Sequence, residues 1–149
     1  MRKLLELALP AQAESLKPLR DAFDAALTRV GVEADMRARL KLVVDEAAAN
    51  VIRHAYGNCG EGEMRLAVSL TRGWLRIVLR DRAPPVDPSV IKPRDLSECR
   101  PGGLGVNFID ETVERWRIVP LRRGCGNRLT MFKRLRGARA GGVSPDSPA

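Results

Sequence analysis

Val43-Val44-Asp45-Glu46-Ala47-Ala48-Ala49-Asn50-Val51-Ile52-Arg53-His54-Ala55-Tyr56 reads as the middle and end of a long helix. Ala, Leu, Arg and Lys dominate from Asp35 to Ala55 without a Pro or Gly, and Gly57-Asn58 supplies a stop. Leu42, Val43, Ala47, Val51 and Ala55 follow the 3.6-residue period, so this stripe is expected to face a core. Glu46 and Asn50 are one turn apart on another face. A carboxylate there can deprotonate a hydroxyl or a water. A neutral amide oxygen beside it can ligate Mg²⁺. Read blandly, the pair is a solvated polar face on a half-buried helix.

Outward from this helix, the chain is short and simple. Its 149 residues suffice for about one domain, and 4% aromatics leave the core to Leu, Val, Ile and Ala. Leu5, Leu7 and Leu9 alternate with polar or small neighbours into a first strand ending at Pro10. Ala13 to Val30 reads as a helix with Pro18 near its start and Gly31 as its stop. The central helix follows, about Ala34 to Tyr56. Glu63 to Leu70 and Trp74 to Leu79 alternate around the turn Thr71-Arg72-Gly73, and the second of them runs into Arg80-Asp81. From Arg82 to Pro101 there is no clear period, which marks a lid or binding loop. Gly102-Gly103-Leu104-Gly105 opens a short helix, Val106 to Thr112. Strands Glu114 to Leu121 and Asn127 to Leu135 close the fold. The order β-α-α-β-β-lid-α-β-β predicts an α/β (α+β) two-layer sandwich, a mostly antiparallel mixed sheet covered on one face by helices. Residues 1–136 form the domain, and the Gly-, Ala-, Ser- and Pro-rich 137–149 is expected to be a disordered tail.

Composition removes several classes of function. No apolar run is long enough to cross a membrane, and Met1 to Leu7 carries charge inside its apolar stretch, unlike a signal peptide. Cys59, Cys99 and Cys125 are odd in number and widely spaced. With a single histidine, they argue for reduced cytoplasmic thiols over a zinc site. The net charge is +8, and it is concentrated toward the C-terminus. Arg115, Arg117, Arg122, Arg123, Arg128, Lys133, Arg134, Arg136 and Arg139 stand there against one acid, Asp146. An acidic protein partner, a nucleic acid or a plain soluble surface would each suit this run. The absence of an aromatic stacking series argues against direct nucleic-acid binding.

Two further features join the Glu46/Asn50 pair. Asp81 ends a strand, where it could accept a hydrogen bond from an exocyclic amine such as that of adenine. The glycines 102, 103 and 105 precede a helix, where backbone N–H groups can approach phosphate oxygens. There is no GxxxxGK, so this is not a P-loop.

The pattern Glu46-x-x-x-Asn50-x-x-x-His54-Ala55-Tyr56, then Asp81-x-Ala83-x-Pro85-x-Asp87-Pro88, Gly102-Gly103-Leu104-Gly105 and Gly126-Asn127-x-Leu129 resembles the anti-sigma-factor serine kinases. These are bacterial partner-switching proteins of the GHKL, or histidine-kinase-like, ATPase superfamily, and the resemblance covers Leu4 to Leu135. It implies a Bergerat-type ATP-binding fold. It also implies an ATP- and Mg²⁺-dependent protein-serine kinase that sequesters a sigma factor and phosphorylates a STAS-type anti-anti-sigma antagonist. Under that resemblance Glu46 is the general base, Asn50 the Mg²⁺ ligand and Asp81 the adenine reader. Gly103, Leu104, Gly105 and Val106 would hold phosphates, Asn127 would line the adenine pocket, Arg100 would contact phosphate and Arg20 would meet the protein partner. Members are typically homodimers in the cytoplasm. The chain departs from the pattern at Ala83, where the superfamily usually has Gly, at Val86, where Phe is common, and in a short lid, about Pro84 to Pro101. A sequestering module without kinase activity is the alternative these departures motivate. The lone His54, one turn beyond Asn50, suits a structural hydrogen bond better than a proton shuttle.

Overall fold

The computed structural model describes residues 1–54, 62–82, 103–121 and 126–136, with side chains except at 54 and 103–107. Its elements are β1 (Arg2–Pro10), a 3-10 turn (Ala13–Ser15), α1 (Leu16–Arg29), α2 (Ala34–His54), β2 (Glu63–Thr71), β3 (Trp74–Asp81), α3 (Gly103–Thr112), β4 (Arg115–Pro120) and β5 (Asn127–Arg134). The five strands form one sheet in the order β1-β2-β3-β5-β4. Every described pairing is antiparallel, and no parallel pair occurs among the described strands.

The helices pack on one face of the sheet, α1 on β1, α2 on β3 and α3 on β4, with α2 lying between α1 and α3. The core between the layers is aliphatic, as the low aromatic content requires. Phe23, Leu19, Leu27 and Leu40 from the helices meet Met64, Leu66, Leu75, Ile77 and Met131 from the strands. Alternation along β2 and β3 sends one residue in two to this core, the period-two geometry of a strand. The helix layer is tied together by charge. Asp24 of α1 accepts from Arg37 at 3.1 Å and pairs with Lys41 at 3.3 Å on α2. Arg29 donates to the Leu4 carbonyl at 2.6 Å, fastening α1 to the edge strand.

The other face of the sheet is basic. Register places Arg65, Arg80 and Arg128 in one row, Ala67, Val78, Thr130 and Arg117 in the next, and Arg76, Phe132 and Arg115 beyond. Val78 and Thr130 are buried although they point away from the helix layer. Of the C-terminal basic residues seen in the sequence, Arg115, Arg117, Arg128 and Arg134 stand on this face.

Three expectations need correction. The first helix does not run unbroken from Ala13. A 3-10 turn comes first and the α-helix starts at Leu16, which puts Pro18 at its third position, where a missing N–H costs nothing. Leu42 does not face the core. It is 52% exposed, while Leu40, Val43, Val44, Ala47, Ala48 and Val51 make the buried stripe, rotated from the one drawn through Leu42. Finally, α3 begins at Gly103 rather than Val106, so Gly103, Leu104 and Gly105 form its first turn instead of a loop before it. Ala55, Tyr56, the loop from Ala83 to Pro101 and the tail 137–149 lie outside the described residues.

Candidate functional site

The hairpin that joins β2 to β3 fixes where Asp81 ends up. Arg72 (φ 50) and Gly73 (φ 78) both adopt left-handed backbone, the geometry of a two-residue turn, and Gly73 carries it without cost. From Trp74 the strand runs in strict register against β5 to its last pair, Asp81 opposite Asn127. These two residues are polar yet only 8% and 2% exposed. The Asn127 amide donates to the Asp81 carboxylate at 3.2 Å. A buried carboxylate survives only with partners, and this bond fixes which way Asp81 presents its oxygens.

Gly126 makes that approach possible, and the sequence reading did not single it out as a site residue. Its φ is +104, and a Cβ on it would run into the Asp81 carbonyl oxygen and press on Leu121 and Arg82. The sequence signal was available: a glycine directly before the polar residue that opens the last strand.

α2 supplies the second group. Val43, Ala47 and Val51 anchor the helix, and that leaves Glu46, Asn50 and Arg53 along one polar stripe. Arg53, also missed from sequence, donates to Asn50 Oδ1 at 2.7 Å and lies 3.9 Å from Glu46 Oε2. The spacing of Glu46, Asn50 and Arg53 at i, i+4 and i+7 was the signal. Asp45, next to Glu46, pairs instead with Arg20 of α1 at 3.3 Å. That contact is a charge pair rather than an aligned hydrogen bond, and Asp45 Oδ1 is buried without a hydrogen-bond donor. Arg20 is therefore not a free surface charge: it is half-exposed and held against the helix that carries Glu46.

The third group is the start of α3. Its first turn is Gly103 to Val106, and the first N–H groups of any helix lack intrahelical acceptors. No acidic residue sits in that turn to compete for them. The far end of α3 is held by Asp110, which accepts from Trp116 of β4 at 3.2 Å, and by buried Ile109 and Val113. α3 packs against α2, and α2 packs on β3. Ala83 and Arg100 lie outside the described residues, as does the side chain of His54.

The donor set around Asn50 fits a divalent cation that takes most of its ligands elsewhere. Mg²⁺ prefers hard oxygens, usually one or two from protein with the rest from phosphates and water, and Asn50 Oδ1 is a neutral hard oxygen at a half-exposed position. Among the described residues no three His, Cys, Asp or Glu cluster as an all-protein cage would need. Among the same residues no helix is long and apolar enough to cross a membrane.

Comparison with known proteins agrees with the fold. The family model of the histidine kinase-like ATPase domain matches residues 9–133. The serine-protein kinase RsbW of Bacillus velezensis is 26% identical over 144 residues, covering 91% of this chain and 88% of that protein. RsbW of Staphylococcus aureus is 27% identical over 141 residues, covering 89% and 87%. Among solved structures, that of the RsbU and RsbW domains of Rv1364c from Mycobacterium tuberculosis superposes with a TM-score of 0.64 at 20% identity, over 91% of this chain and 34% of that one. The resemblance to serine kinases read from the sequence is thus met by curated relatives along nearly the whole chain.

Proposed function

Since the chain belongs to the histidine kinase-like ATPase domain family, we propose that it binds ATP with Mg²⁺ and transfers the γ-phosphoryl group to a serine of a protein antagonist. In the same reading it also sequesters a sigma factor. The observation that carries this reading is the buried Asp81–Asn127 pair at the end of β3 and β5. A carboxylate held in place by an amide, in a nearly dry setting, is suited to accept one hydrogen bond from an exocyclic amine such as adenine's. The RsbW relatives, named as serine-protein kinases, support the choice of substrate class.

In this reading each group has one task. Asp81 accepts from the adenine amino group, and Asn127 orients Asp81. The first-turn amides of α3, at Gly103, Leu104, Gly105 and Val106, donate to phosphate oxygens at the positive end of the helix. Asn50 offers its oxygen to Mg²⁺, which supplies charge neutralisation on the phosphates when bound. Glu46 takes the proton from the attacking serine hydroxyl as the new P–O bond forms and the β–γ bridging bond breaks. Arg100 and Ala83 are assigned to the phosphate and base ends of the same pocket. Arg20, steadied by Asp45, meets the protein partner, a STAS-type antagonist or a sigma factor. The protein acts as a homodimer in the cytoplasm.

Calorimetric titration with ATP, with and without Mg²⁺, tests the core of the proposal. Micromolar binding that needs Mg²⁺ and is lost in Asn50→Ala supports it. No heat at millimolar ATP, in a folded protein, would leave a sequestering module that does not use nucleotide.

A further inference from the structure

We propose that Arg53 is a built-in counter-cation that competes with the metal for its place beside Asn50 and Glu46, and so sets how much Mg²⁺ the site requires. This rests on the nucleotide reading above. The three side chains form one stack on α2, and the guanidinium donates to the oxygen assigned to the metal, at 2.7 Å. It also lies 3.9 Å from the carboxylate assigned as base.

These positions are mutually exclusive with metal binding. A Mg²⁺ on Asn50 Oδ1 would sit about 2.1 Å from that oxygen, which places a double positive charge against the guanidinium. One of the two cations must leave. Arg53 is the one free to move, since its side chain is 49% exposed and Glu46's is 44%. Half-exposed pairs of this kind are weak. The arginine therefore competes with the metal without closing the site. Its departure releases Glu46 and Asn50 together, so the base is unpaired only when metal and nucleotide are present. Without them, Arg53 satisfies the Asn50 oxygen by a hydrogen bond and keeps a positive charge near the Glu46 carboxylate. Arg53 is thus a positioning residue that acts through Asn50 and Glu46.

The test titrates Mg²⁺ into the full chain at a fixed concentration of a non-hydrolysable ATP analogue, read by calorimetry, for wild type, Arg53→Ala and Arg53→Lys. Alanine is a good helix former, so the exposed position tolerates it. Removing a competitor worth a weak exposed pair lowers the half-saturating Mg²⁺ about two- to fivefold in Arg53→Ala. Arg53→Lys falls between, because it keeps the charge and loses the fork. Metal-free affinity for the analogue stays within about twofold of wild type. Unchanged or higher half-saturating Mg²⁺ in a folded Arg53→Ala protein overturns the inference. So does a fall in metal-free affinity larger than the Mg²⁺ effect, which would make Arg53 a phosphate ligand. If wild type itself binds no nucleotide at any Mg²⁺ concentration, the nucleotide reading fails first and takes this inference with it.

Discussion

Asp81 and Asn127 close the ladder between β3 and β5 as its last register pair, joined side chain to side chain at 3.2 Å in a nearly dry setting. Their contact ties the sheet's geometry to the proposed adenine contact. Asp81→Asn keeps the shape but replaces an acceptor oxygen with an NH₂ group. It should weaken ATP binding about ten- to a hundredfold, the effect of one lost hydrogen bond to a charged group plus an unmet donor. Calorimetry measures it, and a urea midpoint near wild type shows that the fold is kept.

Glu46→Gln separates chemistry from binding. The amide cannot take a proton, so phosphoryl transfer to a serine partner should fall by about 10²- to 10⁴-fold, the usual contribution of a general base. ATP affinity should change little. Single-turnover transfer of labelled phosphate reads the first quantity, and retained transfer would remove Glu46 from its role.

Gly126→Ala attacks the support of the site. The left-handed backbone at φ +104 and the contact with the Asp81 carbonyl both oppose a side chain. A stability loss of at least about 2 kcal/mol is expected by denaturant unfolding, with nucleotide affinity falling in parallel. A neutral outcome would show that the β3–β5 end can spread without cost.

Glu114 gives the fold a mild acid sensitivity. Burial raises its pKa, but the Arg134 backbone N–H at 2.8 Å and the Lys133 ammonium at 3.0 Å outweigh that and hold it below the ordinary 4.5. A depressed folded-state pKa contributes stability above the unfolded value and loses it as pH falls through the folded value. Glu114→Gln should therefore be less stable than wild type at neutral pH, by less than about 1 kcal/mol because the carboxylate is partly exposed. The two proteins should converge under acid, and melting curves across that range would show it.

Arg20→Glu tests the partner surface. It would set a carboxylate beside Asp45, whose buried oxygen already lacks a hydrogen-bond donor. Binding to a sigma factor or antagonist should weaken at least about tenfold, as expected for reversing a charge at an interface. ATP affinity should stay at the wild-type value.

Much of the molecule was legible because its signals are local. Alternation in Glu63 to Leu70 marks β2, and the Gly73 turn fixes the hairpin. The glycine at 103 did not betray a helix start, since glycine is a poor helix former and its use in a first turn is decided by what the free N–H groups meet. Leu42 misled because neighbouring apolar residues offer two stripes, and only packing against α1 and the sheet chooses between them. The Arg20–Asp45 pair was not legible, because it depends on rotamers and on how two helices distant in sequence pack.

Side chains on a strand alternate with period two, so the polar pair at the end of β3 and β5 shares the parity of the apolar residues before it. A slip by one rung would turn Leu75, Ile77 and Leu79 outward and carry Asp81 with them. A misregistered chain would thus lose core and ligand contact in one event. Nucleotide would then act as a selector among strand pairings during folding, stabilising the correct one by mass action and leaving the others without its support.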